Sequence, residues 1–147
     1  MAVMTDTRTS DRARYNIASR SPWEPLRGYS RAVQVGDHLF ISGTTAMRQQ
    51  GDVVGLNDPY EQTKYVLALI RHILTNRGFV VGDVIRTRLY VTQMARWDDY
   101  ARAHREVFGN TRPASSIVQV QRLVDPRLLI EMEAEALRGC VATDDLT

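Results

Sequence analysis

Two short stretches hold most of the residues that could do chemistry. One is Arg112-Pro113-Ala114-Ser115-Ser116; the other is Ile130-Glu131-Met132-Glu133-Ala134-Glu135, in which carboxylates alternate with apolar residues. A carboxylate on a strand face can position or deprotonate a water as a general base, and Glu131, at the head of the acidic face, is the candidate. The competing reading makes all three glutamates ion-pair partners for arginines. Ser115 and Ser116 have no local His or Asp for a nucleophilic relay, so their hydroxyl and backbone N–H groups read as donors to an anionic ligand. Lys64 is the only lysine and the single candidate for imine-forming catalysis. It shares a helix face with Glu61 and Arg71, which points to a solvated surface. His38, His72 and His104 fall on different elements and Cys140 stands alone, so no metal-site spacing is recognised and no metal is expected. His104 lies on an apolar helical stripe, where a core or interface histidine competes with a catalytic one.

These residues need a scaffold. Tyr29–Val35 and His38–Ser42 read as a β-hairpin turned at Gly36-Asp37. Residues 43–57, with Thr44, Thr45, Gly51, Asp52, Gly55 and Asn57, read as a loop suited to carrying function. Asp58-Pro59-Tyr60-Glu61 has the form of a helix start, with Asp58 as cap; Val66, Leu69, Ile70, Ile73 and Leu74 follow at helical spacing and Gly78 ends the run. Val84–Val91 alternates, with Ile85, Leu89 and Val91 on one side and Arg86, Arg88 and Tyr90 on the other. Trp97, Tyr100, Ala101, His104, Val107 and Phe108 form a second helical stripe behind Asp98 and Asp99. Strands over Ser116–Leu123 and Leu129–Ala136, joined by a turn at Val124-Asp125-Pro126, close the chain; paired as a hairpin they would bring Glu131 close to Ser115-Ser116. The order predicts an α+β domain, one sheet with two helices on one face. Arg86 and Arg88 would meet the glutamates on the other face, each cross-strand pair contributing about 0.2–1 kcal/mol, and that exposed face suits packing against copies of the chain.

With 147 residues the chain is the size of one domain. Residues 1–24, rich in Ser, Thr, Asp and Arg, are expected to be a flexible arm, 25–138 the domain and 139–147 a tail holding Cys140. No apolar run reaches the ~20 residues needed to cross a bilayer and the N-terminus does not read as a leader, so a soluble, cytoplasmic protein is expected. The formal net charge of +2 carries no strong field for nucleic acid, although Arg8, Arg12, Arg14, Arg20, Arg27 and Arg31 bias the first part of the chain.

Gly28-Tyr29-Ser30-Arg31-Ala32-Val33, Phe40-Ile41-Ser42-Gly43, Gly82-Asp83-Val84-Ile85, Arg112-Pro113-Ala114-Ser115-Ser116 and Ile130-Glu131-Met132-Glu133-Ala134 together resemble the RidA/YjgF family. The resemblance runs from about Pro25 to Ala136. It implies a chorismate-mutase-like α+β fold and a homotrimer whose sheets line a central barrel, with small-molecule clefts at subunit interfaces. It also implies hydrolysis of reactive enamines and imines to keto acids and ammonia, with no metal or organic cofactor. Carried over residue by residue, Tyr29 matches the cleft tyrosine, Ser42 and Gly43 the ligand-contacting Ser-Gly, and Glu131 the glutamate that holds the attacking water. Ser115 falls where active deaminases carry an arginine that clamps the substrate carboxylate, and a serine lacks that planar fork. Ser116, Arg112 and His104 are further candidates to line the cleft, with His104 where a tyrosine is frequent and Ala101 where an asparagine is. Three functions stay open: a RidA-like hydrolase, a non-catalytic metabolite binder on the same fold, and an RNA-binding or RNA-cleaving protein.

Overall fold

A computed structural model describes residues 12–145. The strands are β1 (Arg14–Ile17), β2 (Ala32–Val35), β3 (His38–Thr45), β4 (Val84–Val91), β5 (Ala114–Gln119) and β6 (Ile130–Leu137); the helices are α1 (Trp23–Arg27), α2 (Pro59–Asn76) and α3 (Trp97–Phe108). They form one six-stranded mixed sheet in the order β1-β2-β3-β6-β4-β5. Every neighbouring pair is antiparallel except β4 and β5. That pair is parallel because the chain crosses over through α3 between them.

The α+β reading holds, and the local start and stop signals act as their chemistry requires. The Asp58 side chain accepts the Glu61 N–H at 3.1 Å, Pro59 occupies the first turn of α2, and Gly78 takes the left-handed conformation (φ +74°) just past its end. Val66, Leu67, Ile70 and Leu74 of α2 and Tyr100, Ala103 and Phe108 of α3 are buried with Leu39, Ile41, Leu89, Val91, Ile130, Met132, Ala134 and Ala136 of the sheet. Burial of each large side chain of this set is worth about 1.5–3 kcal/mol. The alternation of β6 sends Met132, Ala134 and Ala136 to the helices and Glu131, Glu133 and Glu135 to the other side. Lys64 is exposed on α2, as expected of a solvated face.

Three expectations are corrected. The last two strands are not a hairpin: β6 lies between β3 and β4, and β5 pairs only with β4, because the crossover parks β5 at the sheet edge before the chain returns through the turn at Asp125. Ile85 does not share the face of Leu89 and Val91. A register shift between Val84 and Arg86 turns it outward, 36% exposed, and sends Val84 and Thr87 inward instead. The arm expected over residues 1–24 falls partly outside the described residues, but its described part is not irregular. Arg14–Ile17 pairs with β2 as an edge strand, and α1 straddles the expected boundary at Pro25.

Gln62 links the core to the start of β6. Fully buried on α2, its amide donates to Gly55 O (3.1 Å) and Arg127 O (2.9 Å) and accepts from Leu129 N (2.8 Å), two residues before Glu131. Gln62→Leu leaves the buried Leu129 N–H without a partner and strips two half-buried carbonyls of theirs, so a stability loss of about 1–3 kcal/mol is expected in urea unfolding. A loss under about 0.5 kcal/mol would mean that the three bonds are replaced by water.

Candidate active site

The face of the sheet away from α2 and α3 carries Glu131, Glu133 and Glu135, and the three are not equivalent. Arg88 Nη1 lies 3.4 Å from Glu133 and 3.2 Å from Glu135, and the Tyr90 hydroxyl donates to Glu133 at 3.3 Å. Those two glutamates are the cross-strand ion-pair partners expected from sequence. The Glu131 carboxylate, by contrast, accepts no hydrogen bond and forms no ion pair among the described residues. Burial raises its carboxyl above the ordinary carboxylate range; attraction to Arg31 opposes the shift, repulsion from Glu133 adds to it and Arg27 opposes it.

The place of Glu131 is set by a break in β3. Pairing with β6 shifts register between Ile41 and Thr44, so Ser42 and Gly43 bulge out of the ladder before Thr45 pairs with Glu131. The Ser42 hydroxyl donates to Ser30 O (2.7 Å), its N–H donates to Arg31 O (3.1 Å), and Thr44 Oγ1 donates to Ser42 O (2.9 Å). Gly43 has no side chain for a reason: a Cβ there would collide with Glu131 Oε1 and lie 2.8 Å from its Cδ. Its carbonyl, released by the bulge, accepts Arg31 Nη2 at 2.5 Å.

Arg31 thus reaches the same glycine as Glu131. The two attract each other without forming an ion pair among the described residues, and burial holds the Arg31 guanidinium below the usual arginine range while it stays protonated. Arg31 Nε is buried without a partner, at a cost of about 1–3 kcal/mol for an unsatisfied donor.

Tyr29, Arg31, Thr44, Thr45, Arg48 and Glu131 line part of a cavity of about 1010 Å³, roughly the upper size of a small-molecule site, ~300–1,000 Å³. Arg27 also lines it and lies 4.0 Å above the Tyr29 ring. One wall is the segment Ser19–Ser21, pinned by buried Glu24, whose carboxylate accepts from Ser19 N (3.2 Å), the Ser19 hydroxyl and Ser21 N (3.3 Å). Burial alone would raise Glu24; these hydrogen bonds outweigh it and hold the carboxyl below its usual range.

Tyr29, Ser42, Gly43 and Glu131 therefore come together, and the other four expected site residues lie elsewhere in the chain. Thr87, fully buried on β4, donates to Ser115 Oγ at 2.8 Å and bonds His104 Nε2 at 2.9 Å, on the helix side of the sheet. Burial lowers the His104 pKa. Ser116 is exposed on edge strand β5, and Arg112 pairs with Asp144 in the tail. Thr87→Val removes both hydroxyl bonds, so a loss of about 1–3 kcal/mol in unfolding free energy is expected; an unchanged urea midpoint would show that His104 and Ser115 find other partners. Arg27 is a site residue that sequence reading did not name, and Arg31 one that it left open as an arginine able to reach the cleft. The one signal is position: Arg31 stands two residues after Tyr29 and immediately before β2.

Among the described residues no group of three or more His, Cys, Asp or Glu side chains is placed to hold a metal ion, and no helix is long and apolar enough to cross a membrane.

Comparison with known proteins agrees with this fold. Residues 19–138 match the family described as Endoribonuclease L-PSP. An uncharacterized protein of Streptomyces coelicolor is 40% identical over 134 residues, 90% of this chain and 98% of that protein. The 3-aminoacrylate deaminase RutC of Acinetobacter baylyi is 34% identical over 112 residues, 76% of this chain and 88% of that protein. The crystal structure of Rv2704 from Mycobacterium tuberculosis, a member of the YjgF/YER057c/UK114 family, superposes with a TM-score of 0.76 at 38% identity, covering 85% of this chain and 99% of that one. With its six-stranded sheet, its bulged Ser42-Gly43 and a family match over most of its length, the chain belongs to the RidA/YjgF family.

Proposed function

We propose that the protein is a RidA-like hydrolase, a deaminase that converts an imine, enamine or related small metabolite to its carbonyl product and ammonia, using water activated at Glu131. The observation that carries this reading is that Glu131, alone of the three glutamates on its face, has no protein partner, is partly buried, and fronts a small-molecule cavity. In the forward step the water oxygen bonds to the imine carbon and its proton passes to Glu131. Glu131 returns that proton to nitrogen to give a carbinolamine; it then takes the hydroxyl proton and passes it to the nitrogen as the C–N bond breaks, so that the carbonyl forms and ammonia leaves. The raised carboxyl pKa suits both halves of this exchange. An enamine reaches the same path once its carbon is protonated. The name of the related 3-aminoacrylate deaminase belongs to the same reaction class.

In this reading the working unit is a homotrimer with clefts at subunit interfaces. Strand β5 supports it: it is an open edge with Ser116 and Val118 exposed, able to bring Ser116 to a neighbouring cleft. A cytoplasmic location fits the single exposed thiol of Cys140.

The test is release of ammonia and keto acid from imines made in situ by an amino-acid oxidase. The wild-type protein accelerates release and Glu131→Ala does not; equal rates from the two would refute the reading. Ligand-dependent thermal stabilisation without turnover would make the protein a non-catalytic metabolite binder, the reading favoured by the serine at 115. The arginines around Glu131 converge on a cavity of small-molecule size, so no cleavage of single-stranded RNA is expected.

A further inference from the structure

We propose that Ser115 is a second reactive centre, a nucleophile toward small activated esters, with Thr87 and His104 as the relay that takes up its proton. The inference does not draw on the imine reading, and it concerns the helix side of the sheet, away from Glu131.

Ser115 has no base near it in the sequence, and the fold supplies one. The parallel ladder sets Thr87 of β4 opposite Ser115 of β5, and α3, which crosses between those strands, lays His104 against the same threonine. Thr87 Oγ1 is 2.8 Å from Ser115 Oγ and 2.9 Å from His104 Nε2, so one hydroxyl joins serine to imidazole at hydrogen-bond distance on both sides. A threonine hydroxyl both donates and accepts, and its proton rotates. When Ser115 donates to Thr87 and Thr87 donates to Nε2, the ring carries its own proton on Nδ1, and the three groups form a path from nucleophile to base.

Burial is graded along this path. Thr87 is fully buried, His104 is half-buried and tilted against Phe108 with ring centroids 4.8 Å apart, and Ser115 is exposed. The relay is thus fixed at its inner end and open at its reacting end. Burial alone lowers the His104 pKa, which favours the proton-accepting form of the ring. A cavity of about 340 Å³ lies against His104 with Phe108 and Pro113 in its wall. It is at the small end of the ~300–1,000 Å³ range of small-molecule sites and offers an apolar seat for a short acyl or aryl group. Arg105 lines the same cavity and forms no ion pair among the described residues, which leaves a cation for charge that develops on an ester oxygen. In the reaction, Ser115 Oγ bonds to the ester carbonyl carbon, its proton passes to Thr87 Oγ1, and the Thr87 proton passes to His104 Nε2. The bond from that carbon to the leaving oxygen breaks, the aryloxide departs, and His104 releases its proton to solvent. Water then cleaves the acyl-serine, giving the carboxylic acid and restoring the hydroxyl.

Two probes test the assignment in the full-length protein: p-nitrophenyl acetate, an activated ester, and a fluorophosphonate, which phosphonylates nucleophilic serines. Wild type is expected to release p-nitrophenolate faster than buffer and to carry the phosphonyl group on Ser115 by peptide mass spectrometry, a result that depends on no variant folding. Its labelling rate should rise with pH through a single ionisation below the ordinary histidine value of about 6.5, the direction set by burial of His104. Ser115→Ala should abolish labelling, and Thr87→Val should slow it about 10²-fold or more and remove the ionisation step, which a packing role would leave in place. Thr87→Ser, which keeps the hydroxyl, should recover most of the rate. No label on Ser115 in wild type, a label on another serine instead, or an undiminished rate in Thr87→Val overturns the proposal. Ester turnover through Ser115 in a protein that releases no ammonia from imines would sustain it and defeat the imine reading alone.

Discussion

Glu131→Gln is expected to lower imine hydrolysis by about 10²–10⁴-fold, the usual contribution of a positioned general base, while raising the melting temperature. The two effects have one cause. Burial lifts the folded-state pKa of Glu131 above its unfolded value, so the protein binds this proton more tightly when folded. The stabilisation is fully present below the unfolded pKa and is lost as pH rises through the folded one. At neutral pH the ionised carboxylate is therefore a cost to the fold, and glutamine removes it at nearly the same shape. The gain in melting temperature should be largest near neutrality and vanish below about pH 3, where both states are protonated. A variant that loses activity and stability together would mean that Glu131 holds the structure and not the water. Glu133→Gln serves as the contrast: it removes the charge that pairs with Arg88 and should lower stability modestly, by about 0.2–1 kcal/mol.

Gly43→Ala is the second large effect, and it acts through Glu131. The added methyl occupies the place of the carboxylate, so Glu131 must swing away from the cavity or β3 must move. Activity should fall about 10²-fold or more, as for a misplaced catalytic group, with a stability loss of about 1–3 kcal/mol from overpacking. A double-mutant cycle separates this from a general backbone effect. In a Glu131→Ala background the obstruction is gone, so Gly43→Ala should cost little further stability and no further activity. Additive losses would show that Gly43 matters for its backbone alone.

Local signals in the sequence were read correctly where they depend on neighbours in the chain. The Asp58-Pro59 start of α2, the Gly36-Asp37 turn between β2 and β3 and the alternation that puts Glu131, Glu133 and Glu135 on one face all reappear. What escaped is set by contacts distant in sequence. The insertion of β6 between β3 and β4 follows from the crossover through α3, which no residue pattern announces. Arg14–Ile17 is a four-residue edge strand with three exposed positions, so it has no alternation to read. Ile85 was assigned inward because period 2 cannot foresee a bulge. The site divides in the same way. Glu131 was named from its place at the head of the acidic face as well as by family likeness, and Tyr29, Ser42 and Gly43 by family likeness alone, whereas the convergence of Arg31 on Gly43 exists only because β3 breaks its ladder there. The engagement of Ser115 and His104 by Thr87 depends on the parallel pairing of β4 with β5, equally hidden from the linear chain.

The pH dependence of kcat/KM for imine hydrolysis tests the role of Glu131 most directly, measured with the imine formed in situ by excess oxidase on wild type and Glu131→Gln. Activity should require the ionised carboxylate. The wild-type profile should therefore fall on acidification through a single ionisation lying above the ordinary carboxylate value of about 4.3, the direction set by burial of Glu131, and the residual activity of Glu131→Gln should lack that step. The same ionisation in both proteins, at undiminished rate in the variant, would contradict the assignment of water activation to Glu131.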